Sequence, residues 1–281
     1  MDLNPADYLK QIGALADDQI DPGPASIALA GMRRPGLSLE RYIHHLEMLA
    51  HEVSERHRML LEAGADDDVQ TQLAALKYVI YENYGYSADT KGYSDLNDAD
   101  LVGVIDRRKG TPLALSILYI SAAQAQGWSV SGLDMPGHFL CRLEKDGQRV
   151  IFDPFNSCTV LDAAGLRALI KKTLGPEAEL SSDYYTPLSN RGILMRLQNN
   201  VKFFLIEAED YEAASEIVET MRIFAPEEYR SLLDLGVLYA RTGRIAEAVK
   251  ALESYLEHVP DLAAQRDVVL LLGELKDSLE P

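Results

Sequence analysis

Cysteine is scarce: Cys141 and Cys158 are the two in 281 residues, which makes no disulfide framework. Long apolar runs are missing as well. None approaches the ~20 residues that cross a bilayer, so no membrane partner is expected. The opening Met1-Asp2-Leu3-Asn4-Pro5 is neither basic nor apolar and does not read as a secretory signal. Together these absences point to a cytoplasmic protein. Cations are outnumbered, 27 Lys and Arg against 44 Asp and Glu, for a formal charge of -17. Phosphate backbones require a basic footprint, so nucleic acid is not an expected partner. The charge serves solubility, or attracts a basic protein or peptide.

The length suits one large domain or two smaller ones. Three regions are expected. The first, 1–75, is helical and packs on the core. Pro5 to Leu15 and Ala25 to Met32 are helical stretches separated by Pro22-Gly23-Pro24. Leu39, Tyr42, Ile43, Leu46, Leu49 and Ala50 recur at helical spacing, which predicts a helix over 38–62 with Ser38 as its N-cap. His44 and His51 share a face of it. Without a third ligand nearby they read as surface or packing histidines, as do His45 and His57, and no metal is expected.

The middle region, 76–189, mixes helix and strand. Leu76 to Tyr84 reads as helix, and Tyr81, Tyr84, Tyr86 and Tyr93 cluster around the Gly85 and Gly92 turns. Gly110-Thr111-Pro112 opens a helix that is apolar almost all round, from Leu113 to Ala123, and hence buried. Pro112 suits the first helical position, where its missing N–H costs nothing. Gly127 ends the helix, and Trp128 follows as a core residue. Ser129 to Leu133 reads as a strand, followed by a hairpin of Phe139–Leu143 and Arg149–Phe152. A turn centred between Lys145 and Asp146 would set His138 opposite Asp153 at the hairpin's open end. The stretch Gly175–Asn190, with Tyr184-Tyr185, is either a linker or a cover for that end.

The last region, 190–281, carries a 34-residue period: Pro226 and Pro260, and Ala214 and Ala248, repeat at that distance. With Leu232, Leu235, Gly236, Tyr239 and Gly243 the second unit resembles the tetratricopeptide repeat, a pair of antiparallel helices. In the first unit Lys202 and Glu209 stand where the glycines would be. Ala263–Leu279 would cap the array.

The middle region resembles the transglutaminase-like fold, part of the papain-like group. That family begins a buried helix with Gly-x-Cys and follows it with His and Asp on two neighbouring strands. The resemblance implies that the cysteine's place falls on Pro112, that Ser116 and Gly127 keep the helix spacing, and that His138 and Asp153 are the other two members. In such a centre a thiolate attacks a carbonyl, His takes the proton and Asp fixes the His tautomer. Proline supplies no nucleophile.

The whole chain is similar to the SirB1-like branch, through Arg107-Arg108-Lys109-Gly110-Thr111-Pro112-Leu113, Pro136-Gly137-His138-Phe139-Leu140, Phe152-Asp153-Pro154-Phe155-Asn156 and Tyr84-Gly85-Tyr86. This branch joins an altered transglutaminase core to C-terminal repeats and commonly has proline at the nucleophile position. The expectation is an α+β transglutaminase-like core with a small antiparallel sheet and helical repeats after it. Its function would be non-catalytic, binding a protein or peptide through the repeats or the vestigial cleft, without a cofactor. The alternative is a hydrolase or acyl transferase using His138 and Asp153 with Thr111, Cys158 or water. Cys141, an odd offset from His138 on a strand, faces away from it and reads as core. His138 and Asp153 are equally explained as a hydrogen-bonded pair kept for folding.

Overall fold

In the computed structural model residues 4–89, 100–259 and 262–278 are described. Tyr93, the Gly92 turn and Pro260 lie outside them. Two compact units emerge. One contains Leu15–Leu197 and the first turn of the N-terminal helix, and the other contains Leu9–Ala14 and the chain from Gln198 onward.

The first unit is α+β. Its leading helices are α1 (Pro5–Ala14, shared with the second unit), α2 (Pro22–Met32) and α3 (Glu40–Glu62). Asp21 caps α2 by accepting from Gly23 N (2.9 Å), and prolines fill its first turn, where no donor is lost. Ser38 is not the cap of α3. Leu39 holds that place without a side-chain bond and is buried in the core instead. Next come α4 (Val69–Leu76), which Asp68 caps, and a continuous π-helical stretch, Lys77–Asn83. Two-residue strands β1 (Ser87–Ala88) and β2 (Lys109–Gly110) pair in parallel, with α5 (Leu101–Arg107) before β2.

The helix α6 (Pro112–Gln124) is buried continuously from Leu113 to Ala123, as its unbroken apolar surface requires. The strands β3 (Ser129–Met135), β4 (His138–Lys145), β5 (Gln148–Asp153), β6 (Thr159–Val160) and β7 (Pro187–Leu188) form an antiparallel sheet ordered β6-β5-β4-β3-β7. Between β6 and β7 runs α7 (Ala163–Leu174). Alternation along the strands divides the core. Phe139, Cys141, Leu143, Val150 and Phe152 join the cluster around α6, whereas Leu140, Ile151, Leu133 and Met135 pack with Leu166 and Ile170 of α7. The Gly175–Asn190 stretch is not a linker. It supplies β7 at the sheet edge and packs Tyr184 and Tyr185 on the α7-side cluster.

The hairpin register differs from the expectation. Cys141 lies opposite Phe152 and Lys145 opposite Gln148, so the turn is Asp146-Gly147, one residue later than expected. Both residues have positive φ (50° and 78°), as a two-residue hairpin turn of matching twist demands. Continued to the strand end, this register sets Asp153 opposite Leu140 and moves His138 away by two positions.

The second unit is helical: α8 (Asn190–Glu207, from Gln198), α9 (Tyr211–Phe224), α10 (Arg230–Arg241), α11 (Ile245–His258) and α12 (Leu262–Asp277). The 34-residue period is structural. A Cβ on Gly236 would stand 2.3 Å from Leu252 Cδ2, so α10 and α11 cross in contact. One period earlier Lys202, itself buried, pairs with Asp234 at 2.5 Å. Gly243 and Glu209, also one period apart, are both left-handed, with φ 77° and 60°. The turn geometry persists in the first repeat without the glycine that eases it.

Candidate functional site

Gly110 is tight against its surroundings: a Cβ there would meet Val104 Cγ2 at 2.8 Å. Thr111 follows in extended conformation as the N-cap of α6, its Oγ1 accepting from Ala114 N at 3.4 Å, and Pro112 takes the first turn. Thr111 is 5% exposed. One turn on, Ser116 Oγ donates to Pro112 O (2.8 Å) and is fully buried. The place that the resemblance gives to a thiol therefore holds a ring with neither nucleophile nor N–H.

His138 begins β4 opposite Met135. Its Nδ1 is buried and has no hydrogen-bond partner among the described residues. Asp153 ends β5 and is 4% exposed. Its Oδ1 accepts from Phe155 N (3.0 Å) and Asn156 N (3.3 Å), an Asx turn that fixes the following loop. Burial pushes the Asp153 carboxyl above its ordinary value, against those two N–H donors and the nearby His138, which pull it down. Among the described residues no hydrogen bond joins His138 to Asp153, so the expected hydrogen-bonded pair is not formed. Continued beyond Cys141–Phe152, the register makes the two diagonal rather than directly opposite neighbours.

The cysteines are placed as core residues. Cys141 Sγ points to Ser116 O (3.9 Å) on the α6 side, and burial drives its thiol far up. Cys158 Sγ donates to Tyr119 OH (3.0 Å), and burial holds it up at about 12. A thiol in that state is not a nucleophile at neutral pH.

Next to the Gly110 segment lies a polar network that composition and spacing did not announce, though Tyr84, Tyr86 and Arg108 sit in two of the quoted motifs. Arg108, left-handed at φ 58° after α5, donates to the Tyr86 hydroxyl and to His45 Nε2 (2.8 Å). The Tyr86 hydroxyl is 2.7 Å from the same nitrogen. Tyr84 donates to Glu52 (2.5 Å) and lies under the Arg108 guanidinium. Burial, then Arg108, lowers His45 to about 4, so the imidazole is neutral and accepts. His45 is thus the pin that ties α3 to the segment leading into α6. His57 packs edge-to-face on Trp128, with centroids 4.9 Å apart.

The comparisons with known proteins agree with this architecture. Residues 40–199 match the transglutaminase-like superfamily. The chain belongs to that superfamily, in its SirB1-like branch. Residues 201–272 match the tetratricopeptide repeat. Among relatives, a UPF0162 protein of Xylella fastidiosa is 29% identical over 209 residues, 73% of each chain. Protein SirB1 of Salmonella typhimurium is 27% identical over 192 residues, covering 68% of this chain and 71% of its own. The UPF0162 protein YchA of Escherichia coli is 25% identical over 254 residues, covering 88% and 91%. No helix among the described residues is long and apolar enough to cross a membrane.

Proposed function

We propose that this SirB1-like chain is a non-catalytic interaction protein, in which the altered transglutaminase-like core is a regulatory scaffold and the helical repeats hold a protein segment. The observation that carries the reading is the helix start. Pro112 offers no nucleophile, Thr111 Oγ1 is engaged as a cap, and both thiols are buried and held protonated.

The repeat unit supports the second half. Phe203 and Val237 stand one 34-residue period apart on α8 and α10, and both are exposed, at 59% and 40%. Exposed apolar side chains at equivalent repeat positions favour a partner segment laid across successive helices. A photo-crosslinking residue at position 203 of the full chain, expressed in cells, gives a discrete adduct that Val237→Glu removes. Absence of any adduct, or one indifferent to Val237→Glu, argues against the repeats as the binding surface.

One observation favours a second reading. The buried Nδ1 of His138, without a hydrogen-bond partner among the described residues, is consistent with an unconventional hydrolase or acyl transferase using His138 and Asp153 on a bound water. Turnover of amide or ester substrates that is lost in His138→Ala would establish it.

A further inference from the structure

The sheet is closed unevenly along β3. Strand β4 pairs with it over its whole length, from Ser129 to Met135. On the other side β7 pairs with only Gly132 and Leu133. Pro187 has no N–H to give, so the β3–β7 ladder is carried by Gly132 and Leu188. Alternation along an antiparallel strand then aims the N–H and C=O of Val130 at the same edge, beyond the end of β7.

That edge lines a cleft of about 650 Å³, whose walls include Asp18, Asp21, Trp128, Val130, Ser131 and Leu188. Among the described residues that line it three are Asp and none is Lys, Arg or His. The Asp17 carboxylate is engaged, accepting from Asn190 N (2.9 Å) and Arg191 N (2.8 Å). Asp18 is exposed. Ser131 Oγ is buried without a hydrogen-bond partner among the described residues. Trp128 is half-buried against His57. Ser129-Val130-Ser131 has neither the lysine nor the proline with which exposed edges are usually blunted.

The geometry points to the open half of β3, Ser129–Ser131, as a site that takes an extended, basic segment of a protein partner by strand addition. Backbone pairing to Val130 supplies the affinity, and side chains of the added segment meet Trp128 and the exposed Asp18 carboxylate. The formal charge of -17 favours the same class of ligand. This rests on reading the chain as an interaction protein, but on a surface belonging wholly to the α+β unit. Failure of the test below leaves the repeat crosslinking result standing, and the converse also holds.

The test uses the full chain and three blocked nonapeptides: one alternating lysine with threonine and valine, one with glutamate for lysine, and one with a central proline. Amide exchange by NMR gives the first readout. In the free chain the Val130 amide exchanges at least about tenfold faster than that of Gly132, because an unpaired edge amide opens without local unfolding. The lysine peptide binds with Kd below about 1 mM and slows Val130. The glutamate and proline peptides do not. Asp18→Lys, an exposed change that spares folding, weakens binding roughly two- to fivefold, the span of an exposed ion pair. A Val130 amide already protected in the free chain would overturn the proposal. So would equal binding of the glutamate peptide, unchanged affinity in Asp18→Lys, or no saturable binding below about 1 mM.

Discussion

If Thr111 is a cap and not a nucleophile, its value is measurable as stability. Replacement by valine keeps the shape and removes the acceptor. Ala114 N–H, at the start of a helix buried from Leu113 to Ala123, then loses its partner at 3.4 Å. Loss of an N-cap costs about 0.5–2 kcal/mol. The long bond argues for the lower half of that span, and exclusion of water from a 5% exposed site argues for the upper half, so about 1 kcal/mol is expected. Thr111→Ser keeps the acceptor and loses only a methyl group. Trp128, the single tryptophan, belongs to the α+β unit and reports that unit's unfolding alone, which matters because two units need not unfold together. With a urea slope of about 2 kcal/mol per molar, Thr111→Val lowers the fluorescence midpoint by about 0.5 M, and Thr111→Ser by less than half of that. Equal midpoints for wild type and Thr111→Val, or a serine variant as unstable as the valine variant, would refute the capping assignment.

Other consequences follow from the same structure. Neither Cys141 nor Cys158 reacts with a disulfide reagent at pH 8 in the folded chain, and both react in urea; fast labelling of Cys158 in buffer would contradict the buried Cys158–Tyr119 contact. His45 is lowered to about 4 when folded, from an ordinary 6.5. Its contribution is therefore fully present above pH 6.5 and lost as pH falls toward 4, so His45→Gln flattens the stability profile in that window, checked by urea midpoints from pH 4 to 7. Asp153 runs the other way. Its folded value is raised, so stability is lost as pH rises from the ordinary carboxylate range through that raised value, and Asp153→Asn, which keeps an oxygen for Phe155 N and Asn156 N, removes the loss. Glu209→Gly relieves a left-handed residue at φ 60° and raises the stability of the repeat unit by about 1 kcal/mol, read as an upward shift of its thermal transition.

Much of the architecture could be read from periodicity. The buried α6 followed from an apolar surface without a polar face, and the repeats followed from the recurrence of Pro226 at Pro260 and of Ala214 at Ala248. What failed did so for local reasons. Asp146-Gly147 is the strongest turn signal in the hairpin, yet centring the turn on its charged residues moved the register by one residue and falsely brought His138 opposite Asp153. Leu39 took the α3 cap because burying it outweighed a side-chain bond from Ser38. Strand β7 is too short to carry a pattern, and the apolar stretch from Leu76 to Tyr84 reads as helix without a mark that separates π from α geometry. The His45–Tyr86–Arg108 network joins three distant segments, and no single window reveals such a contact, although two of the three lie in motifs that the resemblance had marked.

The central claim is that no side chain around Pro112 acts as a nucleophile. The most direct measurement is the intact mass of the folded chain after exposure to a hydroxyl-directed fluorophosphonate and, separately, a thiol-directed acrylamide, beside a His138→Ala variant. The account predicts unchanged masses for both proteins with both reagents. A stoichiometric adduct on Thr111 or Cys158 that disappears in His138→Ala would contradict it and make the chain an enzyme.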